Sequence, residues 1–316
     1  MLTRRTVVEV ATETTAGTDP ASGFTPMLAW DVDLDVKGEV LTRDILRDTL
    51  SPIAHVVGMK EISCAFKTEI KSGGVASGTA GQNNPEMHDL LIGCGFGTAS
   101  YTGTAPIVYS VKSAESDLKT ISLYIHVDGN KHKITGARGT GRFIMEAGKY
   151  GICEWEFQGL YNAVIEATIP DISAASNINP PIIYNSNFQI GGFSPVCSRC
   201  QIDLANNVVR RDDLNATFGV DSFRISGRKP VMEFDADAVV ESSNPFWGDW
   251  SGDVIATFAI VAGSGTHGKE IMFDGYFQYE TNKYGDADGI RTFECSAALI
   301  SSDTNSQDDE ITITFT

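Results

Sequence analysis

A seventeen-residue stretch occurs twice in this chain, and that repetition constrains the fold more than any other feature. Residues 34–50 read LDVKGEVLTRDILRDTL and residues 202–218 read IDLANNVVRRDDLNATF, aligned without a gap at an offset of 168. Six positions are identical: Asp35/Asp203, Val40/Val208, Arg43/Arg211, Asp44/Asp212, Leu46/Leu214 and Thr49/Thr217. Roughly one match is expected by chance at ordinary residue frequencies. Leu34/Ile202, Val36/Leu204, Leu41/Val209 and Leu50/Phe218 exchange one hydrophobe for another. Solenoid and propeller repeats recur every 20–50 residues or so. An offset of 168 in a chain of 316 is domain-sized and reads as two copies of one unit.

Within the units the dominant period is two. Residues 30–36 alternate, with Trp30, Val32, Leu34 and Val36 on one face and Asp31, Asp33 and Asp35 on the other, the pattern of a half-buried strand. Further strands are expected over 59–70, 107–111, 120–127, 131–135, 141–146 and 152–160, with Asp128-Gly129 as a hairpin turn. Asn84-Pro85-Glu86, with Asn as N-cap, predicts a short helix. The second unit repeats this order. A strand holds Ile202 and Leu204, 228–239 matches 59–70, Asn244-Pro245 opens a helix, and 254–262 matches 120–127. Strand 290–299 follows, Phe293 takes the place of Trp155, and Lys283-Tyr284-Gly285 echoes the turn Lys149-Tyr150-Gly151. The offset drifts to 134 at that last landmark. The reading is an arm over 1–23, one unit over 24–166, a Pro-rich linker over 167–184, a second unit over 185–300, and a tail over 301–316 ending in the strand ITITFT. Strand–helix alternation of the kind that builds parallel sheets is absent. The expected class is mainly β: two tandem antiparallel β-sandwich or barrel units, each with one short helix.

Composition and motifs exclude most chemistry. The net charge of -17 disfavours binding to a phosphate backbone or to anionic lipid. The N-terminus has no signal-peptide pattern, and no apolar run approaches a membrane span. Cys64, Cys94, Cys153, Cys197, Cys200 and Cys295 are scattered among apolar segments, as in a protein made in the cytoplasm. The glycine-rich run from Gly263 to Lys269 precedes a strand and lacks the Ser or Thr of a phosphate loop, so a hairpin loop explains it. Asp286, Asp288 and Gly289 lack both anchor ligands of a calcium loop and read as a tight turn. Cys197 and Cys200 have no second ligand pair for zinc. His55, His88, His126, His132 and His267 share no ligand spacing, although His126 and His132 flank the Asp128-Gly129 turn. The expectation is no enzyme, no cofactor and no metal.

The segments GEVLTRDILRDTLSPIAHVVG, ITGARGTGRFIMEAGKYGICEWEFQGLY and VVRRDDLNATFGVDSFRISGRKP resemble a major tail tube protein of tailed bacteriophages, and the order of elements is similar over residues 1–300. The resemblance implies a β-sandwich with one flanking helix, a fold related to the type VI secretion tube. It implies rings that stack into a tube around a β-barrel channel, located in the virion tail and assembled in the host cytoplasm. Six tube domains per ring imply three duplicated chains, a homotrimeric pseudo-hexamer. The partners implied are further copies of the chain and the tape measure, terminator and distal tail proteins. DNA passes through without specific binding, and no membrane is involved. Asp31, Asp33, Asp35, Asp203, Asp235 and Asp237 are the candidate channel wall, where negative charge repels phosphates; the alternative is a solvated outer surface. Arg43-Asp44 and Arg211-Asp212 pair either across neighbouring subunits or locally in a turn. Loop 72–84, arm 1–23 and tail 303–316 are candidates for ring-to-ring contact, with ITITFT adding to an adjoining edge. The competing reading is a tandem β-sandwich binding module for carbohydrate or another surface on a virion or cell exterior, with Trp247 and Trp250 as its aromatic pair.

Overall fold

The computed structural model describes all residues except 1, 3, 74–83, 99–105, 173–177, 264–269, 304 and 306. Of the described residues 54% are strand and 6% helix, and the ladders are antiparallel, in keeping with the period-two pattern. The loop expected over 72–84 and the glycine-rich run 263–269 lie largely outside the described residues, as does part of the linker.

The first half contributes β1 (Thr6–Thr12), β2 (Thr25–Met27), β3 (Ala29–Leu41), β4 (Val56–Glu69), α1 (His88–Gly93), β5 (Phe96–Thr98), β6 (Ile107–Val111), β7 (Ile121–Val127), β8 (Asn130–Glu146), β9 (Ile152–Tyr161) and β10 (Ile165–Glu166). The second contributes β11 (Gln189–Ile190), β12 (Cys197–Asp203), β13 (Asn206–Asp212), β14 (Val220–Arg228), β15 (Val231–Asp237), α2 (Phe246–Ser251), β16 (Ala256–Ala262), β17 (Ile271–Ala287), β18 (Ile290–Leu299) and β19 (Ile311–Phe315).

β8 and β17 are long enough to serve both layers of a sandwich. The first part of β8 pairs with β7, and its last part pairs with β9 on one edge and β12 on the other. Where β8 crosses between layers it runs tight against β9: a Cβ on Gly139 would lie 2.3 Å from the Glu156 carbonyl oxygen. The first part of β17 likewise pairs with β16, and its remainder with β18. One layer is therefore a continuous run of eight strands, β3-β4-β9-β8-β12-β15-β18-β17. Apolar residues of these strands point inward into one core that spans both halves. Phe143 contacts Trp155 at 5.9 Å and, across the halves, Phe273 at 5.1 Å.

The offset of 168 survives in the backbone. Leu34 faces Cys64 and Ile202 faces Met232; Val40 faces Val57 and Val208 faces Ile225; Leu41 faces Val56 and Val209 faces Arg224. Register shifts also coincide, one between Trp30 and Asp33 matched between Cys197 and Cys200, the other between Gly38 and Val40 matched between Asn207 and Val208. The match of 59–70 to 228–239 is one residue out: Lys60 facing Gly38 and Arg228 facing Asn206 take equivalent places at the offset of 168.

Other expectations need correction. Lys283-Tyr284-Gly285 is strand, facing Thr292, Phe293 and Glu294, while the turn comes later at Asp288-Gly289. By register, Cys295 and not Phe293 takes the Trp155 position, because Phe66 faces Trp155 and Phe234 faces Cys295. Residues 130–146 form one strand where two were expected. Neither Asn84 nor Asn244 caps its helix; α1 begins after Met87, and Glu86 instead reaches Lys71 Nζ at 2.6 Å. Asp128-Gly129 does form the β7–β8 turn, with both residues at positive φ as a type I′ hairpin requires.

The two termini are strands of the sandwich. β1 pairs along its whole length with β7, burying Val8 and Val10. The buried Glu13 carboxylate then accepts hydrogen bonds from Thr120 and Ser122 (both 2.6 Å), Gly136 N (2.8 Å) and Gly17 N (2.6 Å). The ITITFT strand does not add to an outside edge: β19 lies between β17 and β6 of its own chain, with Ile311, Ile313 and Phe315 buried. It stays there because both of its edges and its apolar side are satisfied.

The core predicts its own weak point. Trp155 is fully buried against Phe143 and Phe157, and its Nε1–H donates to Thr68 Oγ1 at 2.8 Å. Trp155→Ala is expected to cost about 3–5 kcal/mol in urea denaturation, from lost burial, the cavity and the unpaired hydroxyl. A loss under about 1 kcal/mol would contradict this packing.

Candidate functional site

The eight-stranded layer has a second face, turned to solvent, and alternation fills it with polar groups. Along one row stand Lys67 of β4, Glu154 of β9, Arg142 of β8 and Asp203 of β12. Lys67 Nζ lies 3.3 Å from Asp31 and 3.2 Å from Glu154, and these carboxylates, Glu154 first, raise its pKa. Arg142 donates to Asp203 Oδ2 from Nε at 2.9 Å and Nη2 at 2.7 Å, which raises the guanidinium pKa further. Farther on, Gln201 faces Glu233 and Glu233 faces Ser296, while Asp235 faces Glu294 and Glu294 faces Lys283. Asp33 and Asp35 extend the face at the β3 edge, with Glu156 beside Ala65. Carboxylates outnumber cations across it.

All six aspartates singled out in the sequence fall on this layer. Asp31, Asp33 and Asp35 are exposed on β3, although Asp31 sits at a bulge with φ 51°. Asp203 is ion-paired, and Asp235 accepts from Ser198 Oγ at 2.6 Å and Arg199 N at 2.7 Å. Asp237 faces Thr292. Sequence reasoning missed Glu154, Glu156, Glu233 and Glu294. The alternation of Cys153, Trp155 and Phe157 with Glu154 and Glu156 was the signal that could have found the first two.

The repeated motif forms two hairpins. Leu46 and Leu214, identical in the repeat, are 99% and 103% exposed at their tips. The β13–β14 hairpin lies over the first half: Phe218 meets Tyr161 at 5.7 Å, Lys60 lies 4.8 Å over the Phe218 ring, and Arg210 Nη1 pairs with Glu61 at 2.8 Å. The β3–β4 hairpin has no such bed among the described residues, and Val40, Leu41, Val56 and Val57 stand exposed. Arg43 and Asp44 lie exposed in its loop. Asp212 pairs with Arg210 Nε at 2.8 Å, and Arg211 has no ion-pair partner among the described residues.

Two strand edges of the eight-stranded layer have no partner strand among the described residues: the β3 edge away from β4, and the β17 edge beyond Phe277 away from β18.

The remaining motifs are structural. Cys197 and Cys200 lie on β12, where burial and then the Asp235 carboxylate push the Cys197 thiol up to about 12. Cys200 is raised by burial too, so both stay protonated. Asp286 accepts from Gly289 N at 3.2 Å in the β17–β18 turn. His126 does not face His132; its Nε2 meets Glu9 at 2.8 Å. Trp247 and Trp250 meet edge to face at 6.3 Å; Trp247 packs against Tyr284 and Phe293, while Trp250 stays exposed. No described helix is long and apolar enough to cross a membrane.

A search of curated proteins finds no match to this chain. The family model for phage tail tube proteins matches residues 3–316, nearly its whole length. The chain belongs to the phage tail tube protein family, a structural component of the virion tail.

Proposed function

We propose that the chain is an internally duplicated tube subunit, that three copies close into a ring, and that rings stack around a channel whose wall is the acidic face. The observation that carries this reading is the eight-stranded layer itself, four strands from each half, with an unpartnered edge at each end. Curling such a layer with its polar side inward keeps the core where it is and removes both edges, since a closed barrel has none. Three copies give about 24 strands, and a strand spacing near 4.8 Å at the tilt of about 35–45° that closure requires then gives a backbone diameter of roughly 45–50 Å. Such a barrel holds an aqueous lumen, as 16-to-18-stranded ones already do. The coincident registers and bulges at the offset of 168 support duplication, and duplication lets three chains supply six equivalent units.

A negative wall suits a conduit for DNA because it lowers the affinity of every phosphate contact without reading sequence. The function is passage, assembly and support, with no reaction. Leu46 and Leu214 stand fully exposed among the described residues, and the reading sets both tips against the next ring.

Purified protein is expected to show rings or hollow tubes by negative-stain microscopy. A monodisperse monomer at every concentration would sink the proposal. Glu156→Lys with Glu233→Lys should leave tubes intact but slow genome delivery in a complemented phage, with the defect easing at high salt as screening grows. Unchanged delivery would reject the wall assignment. Leu46→Asp with Leu214→Asp should leave rings and abolish long tubes in the same micrographs; tubes of normal length would show that the tips do not stack rings.

A further inference from the structure

The chain contains one copy of the contact that a ring would have to repeat. β8 meets β12 with Arg142 opposite Asp203, Phe143 opposite Ile202 and Ile144 opposite Gln201. Each of these strands has a counterpart with an unpartnered edge. β3 corresponds to β12 by ladder and by bulge at the offset of 168. β17 corresponds to β8 through the strand beside it: Thr68 faces Cys153 and its counterpart Ala236 faces Phe293, so Glu154 corresponds to Glu294. Arg142 faces Glu154, and Lys283 faces Glu294. Lys283 therefore stands in the place of Arg142, and Tyr284 in the place of Phe143.

Carrying the internal contact onto the free edges fixes one register. We infer that, in the ring proposed above and resting on that reading, β3 of one chain adds to β17 of a second copy, with Asp35 opposite Lys283, Leu34 opposite Tyr284 and Asp33 opposite Gly285.

Charge supports this register. Asp35 is identical to Asp203 in the repeat, and Lys283 supplies a cation where Arg142 does. Among the described residues Asp35 pairs only with Lys37, at 3.3 Å with both side chains exposed. Burial supports it independently. At the internal contact Phe143 and Ile202 are 0% exposed and Leu204 is 2% exposed, whereas their counterparts Tyr284 and Val36 are 57% and 44% exposed and Leu34 is half-buried. These are the side chains that an added strand would cover. The hairpins give a third line. At the internal contact the base of the β13–β14 hairpin reaches the end of α1, with Asn206 Nδ2 donating to the Cys94 carbonyl at 2.7 Å. The same step carries the β3–β4 hairpin over the neighbour toward the end of α2, where Trp250, Val254 and Ile255 are exposed.

Competing registers fare worse. A slip of one residue turns the side chains of β3 over, sending its carboxylates to the core side. A slip of two in one direction sets Lys37 against Lys283; in the other it sets Asp33 there, the one rival that charge alone allows.

A charge-swap series separates them. Wild-type assembly is followed by sedimentation and negative stain, with thermal melts confirming that these exposed substitutions leave the fold intact. Lys283→Glu, which sets like charges across the seam, should raise the concentration needed for assembly at least roughly tenfold. Adding Asp35→Lys should restore it, and adding Asp33→Lys should not. Lys283→Glu that assembles like wild type, or rescue by Asp33→Lys in place of Asp35→Lys, would overturn the register while leaving the ring standing. A wild-type chain that never assembles would overturn the ring and this seam together.

Discussion

The pairing of β8 with β12 is the constraint on which the rest depends. It is the ladder that joins the two halves within the eight-stranded layer. With it, two four-stranded layers become one sheet, and the core beneath becomes one body through contacts such as Phe143 with Phe273. β8 can do this because it is long and changes partners midway, giving its first part to β7 and its last part to β12. β6 and β19 tie the opposite layer in the same way, a strand from the first half pairing with the last strand of the second.

The solvent face of that sheet is less acidic than its count of carboxylates implies, because part of the charge is matched locally. Asp203 is held by Arg142, and Asp31 and Glu154 share Lys67. Such pairs on an open face add little stability, typically under about 1 kcal/mol each. Their effect is on spacing: they fix where the cations sit, so that carboxylates without an ion pair among the described residues, such as Asp33, Glu156, Glu233 and Asp235, set the field. At physiological salt that field reaches roughly 8 Å, the screening length. In a channel it acts only on phosphates close to the wall, which is where adhesion would start.

Much of this was legible in the sequence. The repeat marked the two segments that turn out to be hairpins, without their pairing, and alternation found most strands together with the aspartate row. What sequence missed was decided by partners distant along the chain. The 107–111 strand was visible, but its pairing with β19 depends on both presenting alternating buried faces to one layer. The Lys-Tyr-Gly echo misled because three residues can recur by accident, while ladder register cannot. Asn84 looked like a helix cap because cap rules are local, and the neighbouring Glu86 was drawn into the buried contact with Lys71. The glutamates of the acidic face were overlooked because each stands alone between large apolar residues and becomes part of a row only when strands align.

An open eight-stranded layer must also avoid pairing with the wrong edge before it meets the right one. Both free edges carry charge, and the charges differ. β3 presents Asp31, Asp33 and Asp35, so an antiparallel contact between two β3 edges sets carboxylates against carboxylates. β17 presents Lys283 near the middle of its free stretch beyond Phe277, and two such edges set cations together in the matching symmetric contact. Symmetric pairing of like edges would give closed dimers and leave the other edge exposed. Only β3 against β17 joins opposite charges, and that contact is head-to-tail, the kind that generates rings. In the ring proposed above, the charge pattern that disfavours pairing of like edges is also the one that favours the head-to-tail contact.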